Sequence, residues 1–254
     1  MARIIAIANQ KGGVGKTTTA VNLAASLAAA GRSVLLIDLD PQGNATTGSG
    51  ITKKEALPTV YQLLLGLASL KEVCLPTEFG FDILPANREL AGAEVELIDV
   101  EAREFRLRDA IAAAGSRYDF VLIDCPPALN MLTVNGLVAS DAVLIPMQCE
   151  YYALEGLSDL VETLRKVRTH LNHRLEIEGL LRTMYNPQST LTQQVSAELE
   201  SHFGAKVYRT IVPRNVRLAE APSFGKPVIA FDKSSRGAQA YSALAQEILE
   251  RIAA

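Results

Sequence analysis

The stretch that decides the fold is "NQKGGVGKTT", residues 9 to 18. The apolar run "RIIAIA" precedes it and predicts a strand, and "KTTTAVNLAASLAAAG" follows it with the apolar spacing of one helix face. A strand, a glycine-rich turn and a helix in this order are the context in which a phosphate-binding loop forms. Gly12, Gly13 and Gly15 let successive backbone N–H groups point inward, and the helix N-terminus adds a positive dipole end. We therefore expect this loop to bind a phosphate.

Two side chains of the loop suit nucleotide chemistry. Lys16 supplies a positive charge for β- and γ-phosphates, and Thr17 supplies a hydroxyl that can ligate Mg²⁺. The common pattern GxxxxGK[ST] is not met in full, because Gln10 occupies the position of its first glycine. A second lysine, Lys11, lies five positions before Lys16. One lysine suffices to hold a phosphate chain, so Lys11 requires a separate explanation.

Short apolar runs alternate with longer stretches of helical period along the chain. This alternation predicts an α/β fold, a single-domain doubly wound, mostly parallel sheet flanked by helices, over residues 1–254. Strands are predicted at Arg3–Ala8, Ser33–Asp38, Phe81–Pro85, Asp119–Asp124, Asp141–Met147, Glu178–Thr183 and Lys206–Val212. The runs "RIIAIA", "VLLID" and "FVLID" are continuous enough to be central strands.

Helices are predicted between these strands. The first begins near Lys16 and stops at Gly31, a glycine placed as a C-terminal cap. Further helices are expected near Arg103–Ala114, Leu154–Leu171, Leu191–His202 and Gly237–Ile252. Residues 44–60 carry Gly, Thr, Ser and Pro without clear periodicity, and we expect a mobile surface loop there.

Acidic residues follow two of the central strands. Asp38 and Asp40 come at the end of "VLLID", and Asp124 ends "FVLID". Open α/β sheets bind ligands at the carboxyl ends of their strands. These carboxylates are therefore candidates for holding a metal ion beside the phosphate loop.

Composition excludes several classes of protein. Of 254 residues, 48% are hydrophobic and 21% charged, as in ordinary globular proteins. The N-terminal apolar run is too short for a signal peptide, and no later run approaches the ~20 residues of a membrane span, so we expect a cytoplasmic protein. Cys74, Cys125 and Cys149 form no CxxC pair, which argues against a zinc or redox site and predicts buried thiols.

The charge is unevenly distributed along the chain. The formal net charge is −3, but residues 163–236 hold 12 Lys or Arg against 6 Asp or Glu, while the remainder holds 13 against 22. The first region therefore carries +6 and the remainder −9. Ordinary solvated helix faces and a nucleic-acid-binding surface both fit this asymmetry.

The segment "KGGVGKTT", with its extra lysine, resembles the deviant Walker A box of the ParA/MinD group of P-loop ATPases. The resemblance implies ATP and Mg²⁺ as ligands, and a homodimer in which Lys11 reaches the phosphates bound by the opposite subunit. It assigns catalytic roles to Lys11, Lys16 and Asp40 and places the metal near Thr17, Asp40 and Asp124. Asp38 is expected to support the loop that follows its own strand. The implied ATP-binding residues of the loop are Lys11, Gly12, Gly13, Val14, Gly15, Lys16, Thr17 and Thr18.

Three other segments resemble the chromosomal ParA/Soj partition ATPases: residues 91–97, 148–157 and 212–228. By that likeness, Pro213 and Asn215 contact the adenine. The resemblance also implies slow ATP hydrolysis, stimulation by a ParB/Spo-type centromere-binding protein, and nonspecific binding to double-stranded DNA on the nucleoid.

Nonspecific DNA binding is mainly phosphate neutralisation, so a positive surface is sufficient for it. The candidates are Arg182, Lys206, Arg209, Arg214, Arg217, Lys226 and Arg236. One departure from the family concerns this surface: Gln188 stands where relatives often have arginine, and Asn186 where aspartate is usual. The contact residues therefore stay open at this point.

Three alternatives remain. A MinD-like membrane switch would need an amphipathic C-terminal helix flanked by lysines, whereas "YSALAQEILERIAA" carries two glutamates and one arginine, which favours packing on the body. A nitrogenase-type iron protein would need two cysteines per subunit that share a metal cluster with the partner subunit. The three cysteines of this chain lie outside the motifs of that family. A nucleotide-bound scaffold that never hydrolyses ATP is excluded by no motif.

Overall fold

A single mixed sheet runs through the chain in the computed structural model, which describes residues 2–113, 115, 117–151 and 153–253. Its strands are β1 Arg3–Ile7, β2 Val34–Asp38, β3 Leu75–Pro76, β4 Asp82–Leu84, β5 Phe120–Asp124, β6 Ala142–Gln148, β7 Glu176–Tyr185 and β8 Val207–Pro213. Their order across the sheet is β3-β4-β2-β5-β1-β6-β7-β8, with every pair parallel except β3 and β4. The doubly wound α/β prediction is confirmed, with β2, β5 and β1 adjacent in the interior as their apolar runs indicated.

Helices cover both faces of the sheet. They are α1 Lys16–Ala29, α2 Asn44–Gly48, α3 Val60–Leu65, α4 Leu70–Val73, α5 Leu90–Glu96, α6 Arg106–Ala113, α7 Met131–Ala139, α8 Ala153–His170, α9 Thr190–Phe203, α10 Val216–Glu220, α11 Val228–Phe231 and α12 Arg236–Ala253. Successive side chains of β1 point to opposite faces, so Ile5 and Ile7 join one core while Ala6 and Ala8 join the other. α1 and α12 cover the first face, and α7 and α8 cover the second.

The predicted strands and long helices differ from the observed ones by a few residues at their ends. β7 is the main exception, because it extends to Glu176 and Tyr185 beyond the predicted Glu178–Thr183. The helix expected near Arg103–Ala114 begins as a 3₁₀ turn and continues as α6, and Ala114 lies outside the described residues. The two-residue strand β3 was not predicted, since so short a run carries no periodicity.

The prediction of a mobile loop over residues 44–60 is wrong at both ends, although residues 49–59 form no helix or strand. Residues 44–48 form α2, and its Thr46 is fully buried against β2, where its backbone N–H and hydroxyl both donate to Asp38. At the other end Thr59 caps α3 and forms a capping box with Gln62. Five-residue helices are too short to show a periodic pattern, and tertiary hydrogen bonds order this one.

The C-terminal helix α12 packs on the body of the protein. Leu244 and Ile248 are fully buried, and Tyr241 lies against α1 with its hydroxyl 3.1 Å from that of Thr19. Ile252, at the end of the helix, is about half exposed at 48%. In the part of the chain that the structure describes, no helix has both the length and the apolar character needed to cross a bilayer.

The cysteines are free thiols in different surroundings. Cys125 and Cys149 are buried, as expected, but Cys74 is only half-buried, with its sulfur 3.4 Å from the Tyr118 hydroxyl. The expectation of a buried thiol is therefore wrong for Cys74, which lies just before the edge strand β3.

Candidate active site

The predicted site residues meet at the carboxyl edge of the sheet. Asp38 and Asp124, the last residues of β2 and β5, are direct partners in the strand register, and Asp124 also pairs with Ile7 at the end of β1. The glycine loop leaves β1 at this same edge and leads into α1 at Lys16. The parallel order of the central strands thus brings together residues more than a hundred positions apart in the sequence.

The loop after β1 has the backbone that its glycines allow. Gly13 and Gly15 have φ values of 75° and 90°, a left-handed conformation that other residues adopt with strain. Side chains from the neighbouring strands hold the loop from outside: Thr183 Oγ1 donates to the Val14 carbonyl over 2.8 Å, and Gln148 Nε2 donates to the Gly13 carbonyl over 3.3 Å. The loop is therefore fixed against β6 and β7 and begins α1 with its N–H groups free of a side-chain cap.

The two lysines of the loop occupy different environments. Lys16 is 7% exposed, and its amine donates to the Lys11 carbonyl oxygen over 3.0 Å, inside the curve of the loop. Burial lowers the pKa of Lys16, and the charge of Asp124 acts in the opposite direction. Lys11 instead extends along the surface to Glu150, with 2.7 Å between Nζ and Oε2. The Lys16 amine thus lies inside the loop, and the Lys11 amine lies at the surface beside Glu150.

Asp38 supports the chain that follows β2, as the sequence indicated. Its carboxylate accepts hydrogen bonds from the Thr46 N–H at 2.8 Å, the Thr46 hydroxyl at 2.7 Å and the Asp40 N–H at 3.1 Å. Burial raises the pKa of Asp38 above its usual range, and these hydrogen bonds oppose the rise. Asp40, half-buried at the site edge, accepts from the Gln42 N–H over 2.9 Å.

Asp124 is the carboxylate that the fold leaves without a partner. It is fully buried, and neither oxygen has a hydrogen-bond partner among the described residues. Burial raises the pKa of Asp124 well above its usual range and the charge of Asp38 adds to this, while the neighbouring Thr17 hydroxyl and Lys16 act against it. A buried, unpaired carboxylate is costly unless a cation compensates it. Asp124, Thr17 and Asp40 supply the hard oxygen atoms that Mg²⁺ prefers, so these residues fit that ion.

A small cavity adjoins the loop and the segment after β8. It measures about 180 Å³, and Gly15, Thr18, Pro213, Asn215 and Tyr241 are among its lining residues. The structure thus brings Pro213 and Asn215 beside the start of α1, as their predicted adenine contact requires. The Asn215 side chain also caps α10, accepting from the Arg217 N–H over 3.1 Å.

One of the predicted DNA contacts must be corrected. Arg182 is 5% exposed, and its guanidinium donates to Ser196 Oγ and to the Tyr208 carbonyl oxygen, each over 2.7 Å. It also forms an ion pair with Glu200. Since the guanidinium is buried and both of its terminal nitrogens donate inside the protein, Arg182 is a structural residue and is not available to a phosphate backbone.

The remaining candidates divide into two groups. Three are exposed but paired with acids: Lys206 with Glu176, Arg209 with Glu247 and Glu250, and Arg217 with Glu220 and Asp232. Arg214, Lys226 and Arg236 are exposed and have no ion-pair partner among the described residues. Gln188 and Asn186 lie in an exposed turn after β7, where the Gln188 N–H donates to Asn186 Oδ1 over 3.1 Å.

Sequence reasoning missed several polar residues of the site. Asn9 donates from Nδ2 to the Pro146 carbonyl over 2.8 Å and accepts from the Lys11 N–H over 2.9 Å. Gln148 and Thr183 hold the loop carbonyls, and Glu150 pairs with Lys11. Gln148 ends β6, Asn9 and Glu150 lie two residues beyond β1 and β6, and Thr183 lies two residues before the end of β7. A position near the carboxyl end of a strand, which did single out the aspartates, is the signal that could have found them.

A doubly wound parallel sheet with a phosphate loop after β1 and an unpaired acid at the end of β5 defines a P-loop nucleoside triphosphatase. Residues 2–177 match the family model described as an AAA domain. The chromosome partitioning protein ParA of Caulobacter vibrioides is 53% identical over 252 residues, which are 98% of this chain and 94% of that protein. The sporulation initiation inhibitor protein Soj of Bacillus subtilis is 54% identical over 249 residues, 98% of each chain.

A solved structure is similar over the same length. Cobyrinic acid a,c-diamide synthase from Mycobacterium smegmatis, with bound ATP analogue and magnesium, has a TM-score of 0.88 at 35% identity, covering 100% of this chain and 97% of that one. Taken with the two relatives, these similarities show that the chain belongs to the ParA/Soj family of chromosome-partitioning ATPases.

Proposed function

We propose that this protein is an ATP-dependent dimerising switch that partitions a chromosome or plasmid. In this proposal it binds ATP with Mg²⁺, pairs with a second copy, holds DNA without regard to sequence, and hydrolyses ATP slowly until a ParB-type partner accelerates the reaction. The observation that carries the proposal is the placement of Lys11, whose amine is paired with Glu150 at the surface while the Lys16 amine occupies the loop.

The position of Lys11 supports a role between subunits. Its side chain is 42% exposed and held at the surface by one ion pair, whereas Lys16 already occupies the loop. Two nucleotides facing each other across a dimer would bring many negative charges into a small volume. A cation donated by each protomer to its partner's nucleotide would offset that repulsion, so ATP would stabilise the dimer.

Hydrolysis needs positioned charges more than a nucleophilic side chain, because phosphoryl transfer proceeds through a loose transition state. Lys16 would bind the β- and γ-phosphates, and Asp40 would orient the attacking water. Thr17, Asp40 and Asp124 would hold Mg²⁺, which when bound neutralises charge on the phosphate oxygens. Pro213 and Asn215 would contact the adenine in the cavity beside the loop.

The basic segment after β8 supports DNA binding. Arg214, Lys226 and Arg236 are exposed and unpaired within the described ranges, and all three lie in the short stretch from the end of β8 to the start of α12. A dimer would present this segment twice, and two weak sites held together bind with an effective concentration that a monomer lacks. DNA affinity would therefore depend on ATP through dimerisation and would bring the protein to the nucleoid. A basic segment of the ParB-type partner would find complementary charge on the acidic remainder of the chain.

One observation weighs against a MinD-like membrane switch. The apolar face of α12 is buried against α1 and β8 through Leu244 and Ile248, so this helix is not free to insert its apolar face into a bilayer. The scaffold alternative differs from the switch in one respect only, the turnover of ATP.

The proposal is tested by size-exclusion chromatography of the wild type, Lys11→Ala and Asp40→Ala with ADP or ATP, followed by a DNA mobility shift. We expect ATP-dependent dimers that shift DNA for the wild type, none for Lys11→Ala, and dimers that persist for Asp40→Ala because hydrolysis no longer dissolves them. Dimers of Lys11→Ala would contradict the assignment. A wild type that never releases phosphate, even with DNA and a ParB-type partner, would favour the scaffold.

A further inference from the structure

The ion pair between Lys11 and Glu150 joins the lysine needed at the dimer interface to a carboxylate of its own protomer. We propose that Glu150 is a positioning residue that retains Lys11 in this protomer and so sets how tightly two ATP-bound copies associate. The inference rests on the proposed function, since it assumes that Lys11 contacts the partner's nucleotide. It adds an internal competitor for Lys11 that no part of that function requires.

Both members of the pair are carried by an ordered backbone. Asn9 bonds to the Lys11 N–H and to the Pro146 carbonyl, which ties the start of the loop to β6. Gln148, at the end of β6, bonds to the Gly13 carbonyl, which ties β6 back to the loop. The pair is therefore formed between two segments whose separation is already fixed, and only the two side chains lose freedom on forming it.

Glu150 itself sits in a hydrogen-bonded turn that links β6 to α8. Its N–H donates to the Gln148 carbonyl and its carbonyl accepts from the Ala153 N–H, each over 3.0 Å. This turn directs the Glu150 carboxylate to the Lys11 amine at 2.7 Å, on the surface beside the phosphate loop. A carboxylate so near a loop that binds an anion works against nucleotide binding unless a cation screens it. Its pairing with Lys11 supplies that cation.

The ion pair between Lys11 and Glu150 is weak enough for Lys11 to leave it and bind a nucleotide. The two side chains are 42% and 51% exposed, and exposed ion pairs contribute little to stability. A triphosphate carries several negative charges against the single charge of Glu150, so it can take Lys11 from the pair. The loss of one pair then weakens association about 1.4-fold to fivefold, the range that measured exposed pairs imply. Because two pairs break in a symmetric dimer, the combined effect is about twofold to 25-fold.

The experiment is sedimentation equilibrium of the full chain with Mg²⁺ and a non-hydrolysable ATP analogue. Glu150→Gln, which keeps the shape and removes the charge, is expected to lower the dimer Kd by about twofold to 25-fold at low salt. Glu150→Asp, which keeps the charge, should stay near the wild type. Glu155→Gln, an exposed glutamate at the start of α8, is the matched control and should leave the Kd unchanged.

A second readout separates an electrostatic pair from a general structural effect. The ratio of the two Kd values, wild type over Glu150→Gln, should fall toward one at about 1 M salt, where the Debye length is about 3 Å. The inference is overturned if the Glu150→Gln dimer is no tighter than the wild-type dimer, or if the ratio of the Kd values does not change with salt. In either case the proposed function still stands if Lys11→Ala fails to dimerise. If the wild type itself forms no dimer with the analogue, both fall.

Discussion

Asp124 ends β5 with a buried carboxyl group that accepts no hydrogen bond from the described residues. Both oxygens are buried without a hydrogen-bond partner in the described part of the chain, whereas Asp38, its register partner on β2, accepts three hydrogen bonds. Two aspartates side by side thus have opposite relations to stability. Asp38 stabilises the fold through these bonds, and Asp124, buried without a hydrogen bond, costs stability.

We predict that Asp124→Asn stabilises the nucleotide-free protein by about 1–3 kcal/mol, because an amide is less costly than an unpaired carboxylate to bury. The same change should abolish ATP hydrolysis. Urea denaturation without nucleotide or Mg²⁺ measures the first effect, and phosphate release measures the second.

Asp38→Asn is the matched control, since it alters a carboxylate that is hydrogen-bonded. It should destabilise the protein by about 1.5–3 kcal/mol, the range for hydrogen bonds to a charged group. If both variants lose stability to the same extent, Asp124 is satisfied within the fold and the argument for a cation at this position fails.

Single residues of the loop were predictable because their signal is local. The glycines, Lys16 and Thr17 lie within eight positions of one another, and the required backbone dihedral angles select glycine directly. The partner of Lys11 was not predictable, because Glu150 is 139 positions away and is brought near only by the pairing of β1 with β6. The burial of Arg182 was missed for the same reason, because composition counts charged residues but does not show which side chains face solvent.

At the scale of elements, helix α12 covers one edge of the sheet and is bonded to it by a glutamate side chain. Glu247 on α12 is 4% exposed and accepts from the backbone N–H groups of Arg209 and Thr210 on the edge strand β8, each over 2.9 Å. It also accepts from the Thr210 hydroxyl and from Arg251. These bonds satisfy N–H groups that an edge strand otherwise leaves open to another chain.

The protonation of Glu247 should therefore govern part of the acid stability. Burial acts to raise the pKa of Glu247, but the hydrogen bonds from Thr210, from the Arg209 N–H and from Arg251 outweigh it and lower the pKa to about 2. A folded pKa below the unfolded one means that the stabilisation is complete above about pH 4.5 and is lost as the pH falls toward about 2.

We predict that Glu247→Gln lowers the free energy of unfolding at pH 7 by about 1.5–3 kcal/mol. The difference from the wild type should narrow as the pH falls below about 4.5, because the wild type then loses the same charge. Urea denaturation at several pH values measures both. Glu250→Gln, an exposed glutamate that pairs with Arg209, is the control and should cost less than about 1 kcal/mol. If Glu247→Gln lowers the free energy of unfolding by the same amount at pH 4 and pH 7, the explanation is wrong.

Long elements were predictable, except the nine-residue α7, which is buried almost all round and so has no single apolar face. The long helices α8, α9 and α12 and the buried strands were found within a few residues, because each carries several repeats of its period. α2 was mistaken for a loop, since its order comes from the bonds between Thr46 and Asp38 and not from its own pattern. Among the remaining misses, α3 and α4 are also short and rest on capping boxes.

At the scale of the whole molecule, the structure shows where part of the basic half of the sequence lies. The exposed, unpaired cations Arg214, Lys226 and Arg236 follow β8, whose carboxyl end lies at the same sheet edge as the phosphate loop. The elements that follow, α10, α11 and α12, contact one another. The helices that adjoin these cations are thus packed together, and Arg214 itself lines the cavity beside the phosphate loop, which the residue counts alone did not establish.

We predict that Arg214→Ala, Lys226→Ala and Arg236→Ala each weaken DNA binding to all sequences alike. Each change should reduce the slope of log K against log salt by about one per protomer, hence about two per dimer. Fluorescence anisotropy with two unrelated duplexes across a salt series measures this. Arg32→Ala, an exposed arginine just before β2 at the opposite sheet edge, should leave the slope unchanged. An equal loss for Arg32→Ala would mean that the basic segment is not the DNA surface.

The most direct test of the donated lysine mixes two inactive proteins. Lys11→Ala retains Lys16 for its own nucleotide, and Lys16→Ala retains Lys11 for the nucleotide of its partner. Only a mixed dimer therefore has one site with both lysines. We predict that ATPase activity, near background for each variant alone, reappears on mixing at no more than about half of the wild-type rate, since each mixed dimer has one working site in two. Activity that stays at background in the mixture would show that no lysine crosses between subunits.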